Sequence, residues 1–557
     1  MRALATLLLL ASACGGAAGP AGAVRFQNRA PVWVVDDRRD VPEKPAERKF
    51  FKALYHFDGV FYERLDRALE LRPVRRAQST NALDEVPDST WFTNRIGQRD
   101  VTPEEIEVGP NTTGSPEAHR PWTIKSTKVG GITVGFIIKD ARGQKYVLKF
   151  DEASIPEMET GADVVLQRLL WACGYNVPED YVVYFRREDL VLADDAVIKD
   201  PMGNETPLTE TFLEQQLATI HVDADGRIRG LASQFIPGIP IGGHDRDGTR
   251  PDDPNDRIRH ELRRELRGLY PIFAWLDQTD VKEDNTLDTW VEDPADSKVH
   301  YVVHYLLDFG KGLGTQPYIN GRRFVSFEFL VDFKAMAKRL LTLGLLGRPW
   351  DHRRPPGILG VGMLDAAFDP GRWKAYMPSY FPFHDVDRFD GFWGAKIVAR
   401  FGEAHVRAAV EQARFSDPRA VDYVTRLLME RRRKVIAYWF ARVAPLDGFA
   451  VEADGSGWKV CFDDLALRHG VAGAPATATR YRARVFDAAG AATGGGGDTR
   501  ADASAHTCVG VTPATGADAY TILELDVERR GQHGGPVLVH LARDAAGAPQ
   551  IIGIRRE

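Results

Sequence analysis

Three short stretches of this chain hold residue types able to act on a charged substrate. In Gly130-Gly131-x-x-x-Gly135, the glycines would let backbone N–H groups approach phosphate oxygens. Tyr146-Val147-Leu148-Lys149-Phe150 places one lysine in an otherwise apolar run, where a charge is costly unless paired. Glu159 and Asp163 follow on one face of a helical pattern with Leu166 and Leu170, and either would reach back to Lys149, with reach favouring Glu159. The third stretch is Asp280-Val281-Lys282-Glu283-Asp284-Asn285, directly after a helical pattern. A strand-like run from Val299 to Leu307 then leads into Asp308-Phe309-Gly310.

Asp-x-Lys-x-x-Asn followed by Asp-Phe-Gly resembles the catalytic loop and metal-binding motif of the protein kinase superfamily. Gly130, Gly131, Gly135 and Lys149 precede them in the order kinases use. The resemblance spans about 122 to 440 and is motif-specific at 130–149 and 277–310. It implies ATP and Mg²⁺ as cofactors, with Mn²⁺ as a substitute. Asp280 would orient and accept the proton of an attacking hydroxyl, and Lys282 would neutralise the transferred phosphoryl. Asn285 and Asp308 would ligate the metal, and Lys149 would hold the α- and β-phosphates while Glu159 or Asp163 fixes it. Phe235, in Gln234-Phe235-Ile236-Pro237-Gly238, takes the hinge position beside adenine. Gln278-Thr279 stands where His-Arg usually precedes the aspartate, so control through a phosphorylated activation loop is not expected. An irregular glycine loop, the lack of Ala-Pro-Glu after Gly310 and a long Lys149 to Asp280 separation resemble the atypical branches, such as HipA-type and secretory-pathway kinases.

These residues need strands to hold the lysine and helices to hold the loop. Strand-like runs at 123–126, 133–138 and 145–150 predict a three-strand meander, and periodicity predicts a helix from about Pro156 to Cys173, ended by Gly174. Strands return at 181–185, 190–198 and 227–236. Helical spacing follows at 258–276, 327–346, 390–401, 403–415 and 418–443. Strands then helices predict an α+β bilobal unit, and the resemblance implies that its fold is kinase-like. The expected organisation is a signal peptide over 1–23, an N-terminal extension over 24–120 whose role is not readable, an N-lobe over 121–240 and a helical C-lobe over 241–446. Short alternating runs predict a C-terminal all-β, sandwich-like domain over 447–557.

The balance of 72 Lys and Arg against 78 Asp and Glu leaves no basic footprint for nucleic acid. The four cysteines are too few for a disulfide scaffold and lack zinc-site spacing. An apolar stretch from Ala3 to Ala13 is too short to span a membrane and reads as a signal peptide. Its end, Ala11-Ser12-Ala13-Cys14-Gly15, resembles the lipobox of bacterial lipoproteins, which implies lipidation of Cys14 and contact with an envelope membrane by that anchor alone; plain secretion is the alternative. In an oxidising compartment Cys461 and Cys508 would be free to pair. His300 and His304 read as packing or edge histidines, the acids from Asp245 to Asp253 as a solvated loop, and Arg431 to Lys434 as a solvated helix face or a contact with an adjoining acidic element.

The expected function is Mg-ATP-dependent phosphoryl transfer in the cell envelope to a protein, glycan or small-molecule acceptor. A nucleotide-binding pseudokinase scaffold, or a kinase-like transferase moving adenylate or glutamate, stays open at this point.

Overall fold

The computed structural model describes residues 25–49, 52–69, 74–128, 134–200 and 204–557. The expected signal peptide, the lipidation site Cys14, and Gly130 and Gly131 of the glycine loop lie outside them. The fold is mixed α/β, with several sheets and no barrel. No helix among the described residues is long and apolar enough to cross a membrane. The chain divides into two compact units: residues 32–81 with 85–440, and residues 441–557 with the short segments up to 31 and 82–84.

The first unit is built on a seven-stranded sheet. Its strands are β1 (Trp122–Thr127), β2 (Gly135–Lys139), β3 (Lys145–Lys149), β4 (Asp180–Phe185), β5 (Leu190–Lys199), β6 (Glu205–Pro207) and β7 (Ile228–Gln234), in the order β4-β7-β3-β2-β1-β5-β6. All neighbours run antiparallel except β1 and β5. Alternation along β3 sends Tyr146 and Leu148 into a core with Trp122, Phe136, Ile138 and Phe185, which Leu213 and Leu217 of the helix Glu210–Leu217 also join. Lys149 therefore takes the opposite face. It stands across from Leu231, which packs with Val182 and with Val164 of the helix Met158–Cys173. That helix is thus laid on the lysine's face.

A three-stranded sheet β10-β9-β8 follows, formed by β8 (Ile239–Pro240), β9 (Thr286–Glu292) and β10 (His300–Leu306). The helices Leu269–Leu276, Arg388–Ala399, Glu403–Glu411 and Arg419–Phe440 pack on one another as the helical part of the unit. Two expected helices are shorter than their apolar periodicity. The 258–276 pattern is broken at Arg263, whose backbone is extended between a 3₁₀ turn at His260–Leu262 and a helix starting at Arg264. The 327–346 pattern yields a helix over Phe333–Leu341 alone, capped at its start by Asp332 and stopped by positive φ at Leu343 and Gly344.

Residues 85–120 belong to the first unit's core. Trp91, Phe92, Ile96, Val101 and Ile106 are all buried, and Phe92 packs against Tyr175 and Trp393. The second unit holds a three-stranded sheet of β11 (Leu446–Asp454), β12 (Gly457–Asp464) and β15 (His506–Val511). Its five-stranded sheet contains β13 (Arg480–Asp487), β14 (Asp498–Arg500), β16 (Thr521–Glu528), β17 (Val537–Arg543) and β18 (Pro549–Arg556). Alternate residues of both sheets, including Val460, Phe462, Val509, Val485, Leu525 and Val539, share one core. Cys461 and Cys508 face each other across β12 and β15 and are disulfide-bonded.

Candidate functional site

The β9–β10 register assembles the site. Thr286 pairs with Leu306, so Asn285 and Leu307 lie opposite each other just beyond the ladder, joined by Leu307 N–H donating to the Asn285 carbonyl at 2.9 Å. The loop before β9 and the Asp-Phe-Gly segment after β10 are therefore neighbours despite their separation in sequence. Asp308 itself sits at φ +59°, a conformation a non-glycine residue holds only when its surroundings impose it. Gln278 Nε2 donates to its carbonyl at 3.3 Å.

Lys149 Nζ lies 3.3 Å from Asp308 Oδ1 and 3.8 Å from Asp163 Oδ2. Asp163 Oδ1 also accepts from the Phe309 N–H at 3.4 Å, so one carboxylate ties the strand lysine to the segment carrying Asp308. The expectation that Glu159 holds Lys149 is corrected: Glu159 pairs with Lys311 Nζ at 2.6 Å. The glycines of the segment explain the exchange. A Cβ on Gly310 would stand 3.3 Å from the Glu159 carbonyl, and one on Gly312 would stand 2.4 Å from Leu166. Residues 308–312 can thus lie directly along the helix, bringing Lys311 to Glu159 and leaving Asp163 for Lys149.

Burial alone would lower the Lys149 ammonium, but Asp308 and Asp163 outweigh it and hold it above its ordinary value. Lys149 in turn holds the Asp308 carboxyl well below the usual carboxylate range against its burial, with help from Lys282, Lys128 and Lys311. Burial pushes Asp163 up, opposed by Lys149. Asp180, at the start of β4 and 1% exposed, is pushed up to about 6 by burial. It adds a further carboxyl to the Lys149 environment that sequence reasoning did not single out.

Asp280 lies in the loop after the helix Leu269–Leu276 and pairs with Lys282 Nζ at 2.8 Å. Asn285 Nδ2 donates to the Asp280 carbonyl at 2.8 Å, which commits its amide oxygen as the remaining donor atom. The loop is anchored at Asp277, in left-handed conformation at φ +53° and 1% exposed. Its carboxylate accepts from Arg353 at 3.0 Å, Trp373 Nε1 at 3.1 Å and Arg431 at 3.3 Å. Arg431 also donates to the carbonyls of Trp275 at 2.8 Å and Ala274 at 2.5 Å. Of the two readings of the basic run, Arg431 follows the contact with an acidic element and not the solvated face, being 1% exposed and bonded to Asp277. Its spacing from Leu427, Leu428 and Val435, all on the buried side of the helix, is the signal that marks it.

A cavity of about 230 Å³ is lined by Lys128, Lys149, Asp163, Asp280, Lys282 and Asp308, among others. Opposite charges of this density in one concave site suit an anionic substrate carrying a hard cation, because lysines meet phosphate oxygens and carboxylate and amide oxygens meet the metal. Asn285 borders a small adjoining hollow that shares Asp280 and Lys282. Gly135 pairs with Lys149 across β2 and β3, and a Cβ there would stand 2.8 Å from the Leu148 carbonyl. Phe235 is not brought to this cavity: its N–H extends the β3–β7 ladder to the Lys145 carbonyl at 3.0 Å, and its ring borders a separate open hollow with Lys139, Lys145 and Val147. Compared with known protein families, characterised proteins and solved structures, the chain matches none.

Proposed function

We propose that the unit spanning 32–440 is a kinase-like phosphotransferase that uses ATP and Mg²⁺, carried on an exported chain tethered through a lipidated Cys14. The observation carrying this reading is the convergence of Lys149, Asp163, Asp308, Asp280 and Lys282 on one cavity from a strand, the helix that follows it, and two loops at the ends of one hairpin. This is the division of labour that phosphoryl transfer asks of a protein, which is positioning plus charge neutralisation.

Each residue's part follows from its contacts. Lys149, fixed by Asp163, presents an ammonium to the phosphate chain. Asp308, kept ionised by the surrounding lysines, and the amide oxygen of Asn285 are the donors for the cation, which when bound shields the phosphate charge. Asp280 receives the proton of an acceptor hydroxyl, and Lys282 beside it opposes the negative charge on the phosphoryl group in flight. The acceptor is a hydroxyl of a protein, a glycan or a small molecule.

Removing Asp308 should uncouple nucleotide from metal. By titration calorimetry, wild type should bind ATP in a Mg²⁺-dependent manner, and Asp308→Ala should lose at least about 10-fold in that affinity with circular dichroism unchanged. An Asp308→Ala variant that binds MgATP as tightly as wild type would contradict the metal assignment.

A further inference from the structure

Behind the hairpin that carries Asn285 and Asp308 lies a second cluster of donor groups. Asp288 on β9 pairs directly with His304 on β10, and His244 joins them from the segment after β8. Backbone bonds fix that segment: Asp288 N–H donates to Gly242 at 2.8 Å, Ile241 N–H to Asp288 at 2.9 Å, and His244 N–H to Thr286 Oγ1 at 3.1 Å. Gly243 permits the approach, since a Cβ there would stand 2.2 Å from the Glu283 carbonyl. Asp288, His304 and His244 are 1%, 4% and 2% exposed.

Their donor atoms converge. His304 Nδ1 stands 2.7 Å from Asp288 Oδ1, and His244 Nδ1 stands 3.6 Å from the same oxygen. Among the described residues, neither ring nitrogen of His244 finds a hydrogen bond. A buried imidazole left this way bears the desolvation cost of its polar atoms with nothing to offset it. The outer groups are already arranged as supports: Arg250 lies 3.4 Å from Asp288 Oδ2, leaving Oδ1 as the inward donor, and Trp91 stacks on His304 at 3.5 Å, fixing its ring.

We propose that His244, Asp288 and His304 hold a first-row transition-metal dication, with Zn²⁺ as first choice. Two borderline imidazole nitrogens and one carboxylate oxygen form a donor set that zinc accepts. Bonds of about 2.0–2.1 Å set tetrahedral ligand separations near ~3.3 Å, and the observed 2.7 and 3.6 Å straddle that value. Entry of the ion would replace the His304–Asp288 hydrogen bond, opening that contact by about 0.6 Å and closing the other by about 0.3 Å. Three protein donors leave the fourth tetrahedral position to a water, and the burial of all three shields the ion from bulk solvent. It would clamp β9, β10 and the 241–244 segment, three residues after Asn285 and four before Asp308, and so position that loop and that segment. This inference does not depend on the phosphotransferase reading.

The test is the metal content of the full chain, with the Cys461–Cys508 disulfide kept oxidised, after equilibration with zinc and gel filtration. Elemental analysis should find about one zinc per chain, retained in Asp308→Ala and lost in His244→Gln. Because the ring nitrogens of His244 make no hydrogen bond and its backbone bond to Thr286 survives the substitution, His244→Gln should keep its circular dichroism spectrum. As a second readout, Co²⁺ added to the zinc-free chain should give visible d–d absorption in wild type that His244→Gln lacks. Wild type that takes up no zinc, or His244→Gln that keeps the wild-type complement, would overturn the proposal.

Discussion

A lysine set into an apolar strand needs a counter-charge, and around Lys149 two helix acids one turn apart were candidates for that role. Sequence spacing makes Glu159 and Asp163 equivalent in face, because residues four apart on a helix lie one above the other. Their partners are decided elsewhere, by how closely residues 308–312 approach the helix through Gly310 and Gly312. No feature of the helix itself reports that approach, which is why Lys149, Asp280, Asn285 and Asp308 were legible as a set while the pairing was not. Asp180 and Asp277 were hidden for a related reason: the charges they meet come from distant segments. Asp163→Asn should weaken MgATP binding by about 10-fold, the loss of one close charge partner at a buried site. Glu159→Gln should weaken it less than about threefold, because the lost partner is Lys311. Equilibrium titration of the two variants compares them directly, and the reverse ranking would return Lys149 to Glu159.

At the scale of elements, strands were easier to read than helices. The meander 123–150 and the helix ending at Cys173 match their alternation and periodicity within a few residues, since both patterns are local. The 258–276 and 327–346 patterns overran because apolar spacing continues where the backbone does not. Arg263 breaks the first as its guanidinium reaches Asp256 at 2.8 Å and Glu265 at 3.1 Å, and positive φ ends the second. The helix Arg419–Phe440 shows how an element far along the chain controls a loop. Arg431 holds the end of the helix Leu269–Leu276 and the Asp277 carboxylate together, and Asp277 is the residue from which the Asp280 loop departs. Arg431→Met should therefore cost about 3 kcal/mol in urea unfolding, because it strips donors from buried carbonyls and from a buried carboxylate. Arg433→Ala, two positions along and exposed, should cost no more than about 0.5 kcal/mol. Equal midpoints for Arg431→Met and wild type would remove the anchor from the account.

For the whole molecule, the segment expected as a separate N-terminal extension proved the least legible. Its buried aromatic residues meet distant parts of the chain: Trp91 lies on His304 and beneath Arg263, and Phe92 lies between Tyr175 and Trp393. Such pairings leave no period in the sequence, so composition alone suggested an appendage. Among the C-terminal strands, β12 and β13 were legible because a two-sheet core imposes alternation on them. Across both units, the claim with the largest consequence is that the charged cavity transfers a phosphoryl group. The direct measurement is label transfer by the purified chain from ATP labelled at the γ- or α-phosphate, with Asp280→Asn beside wild type. The account predicts γ-label carried to the chain itself or to envelope extract in the presence of Mg²⁺, reduced about 10²–10⁴-fold in Asp280→Asn with ATP affinity retained. Transfer of α-label, or γ-label passing equally well through Asp280→Asn, would contradict it.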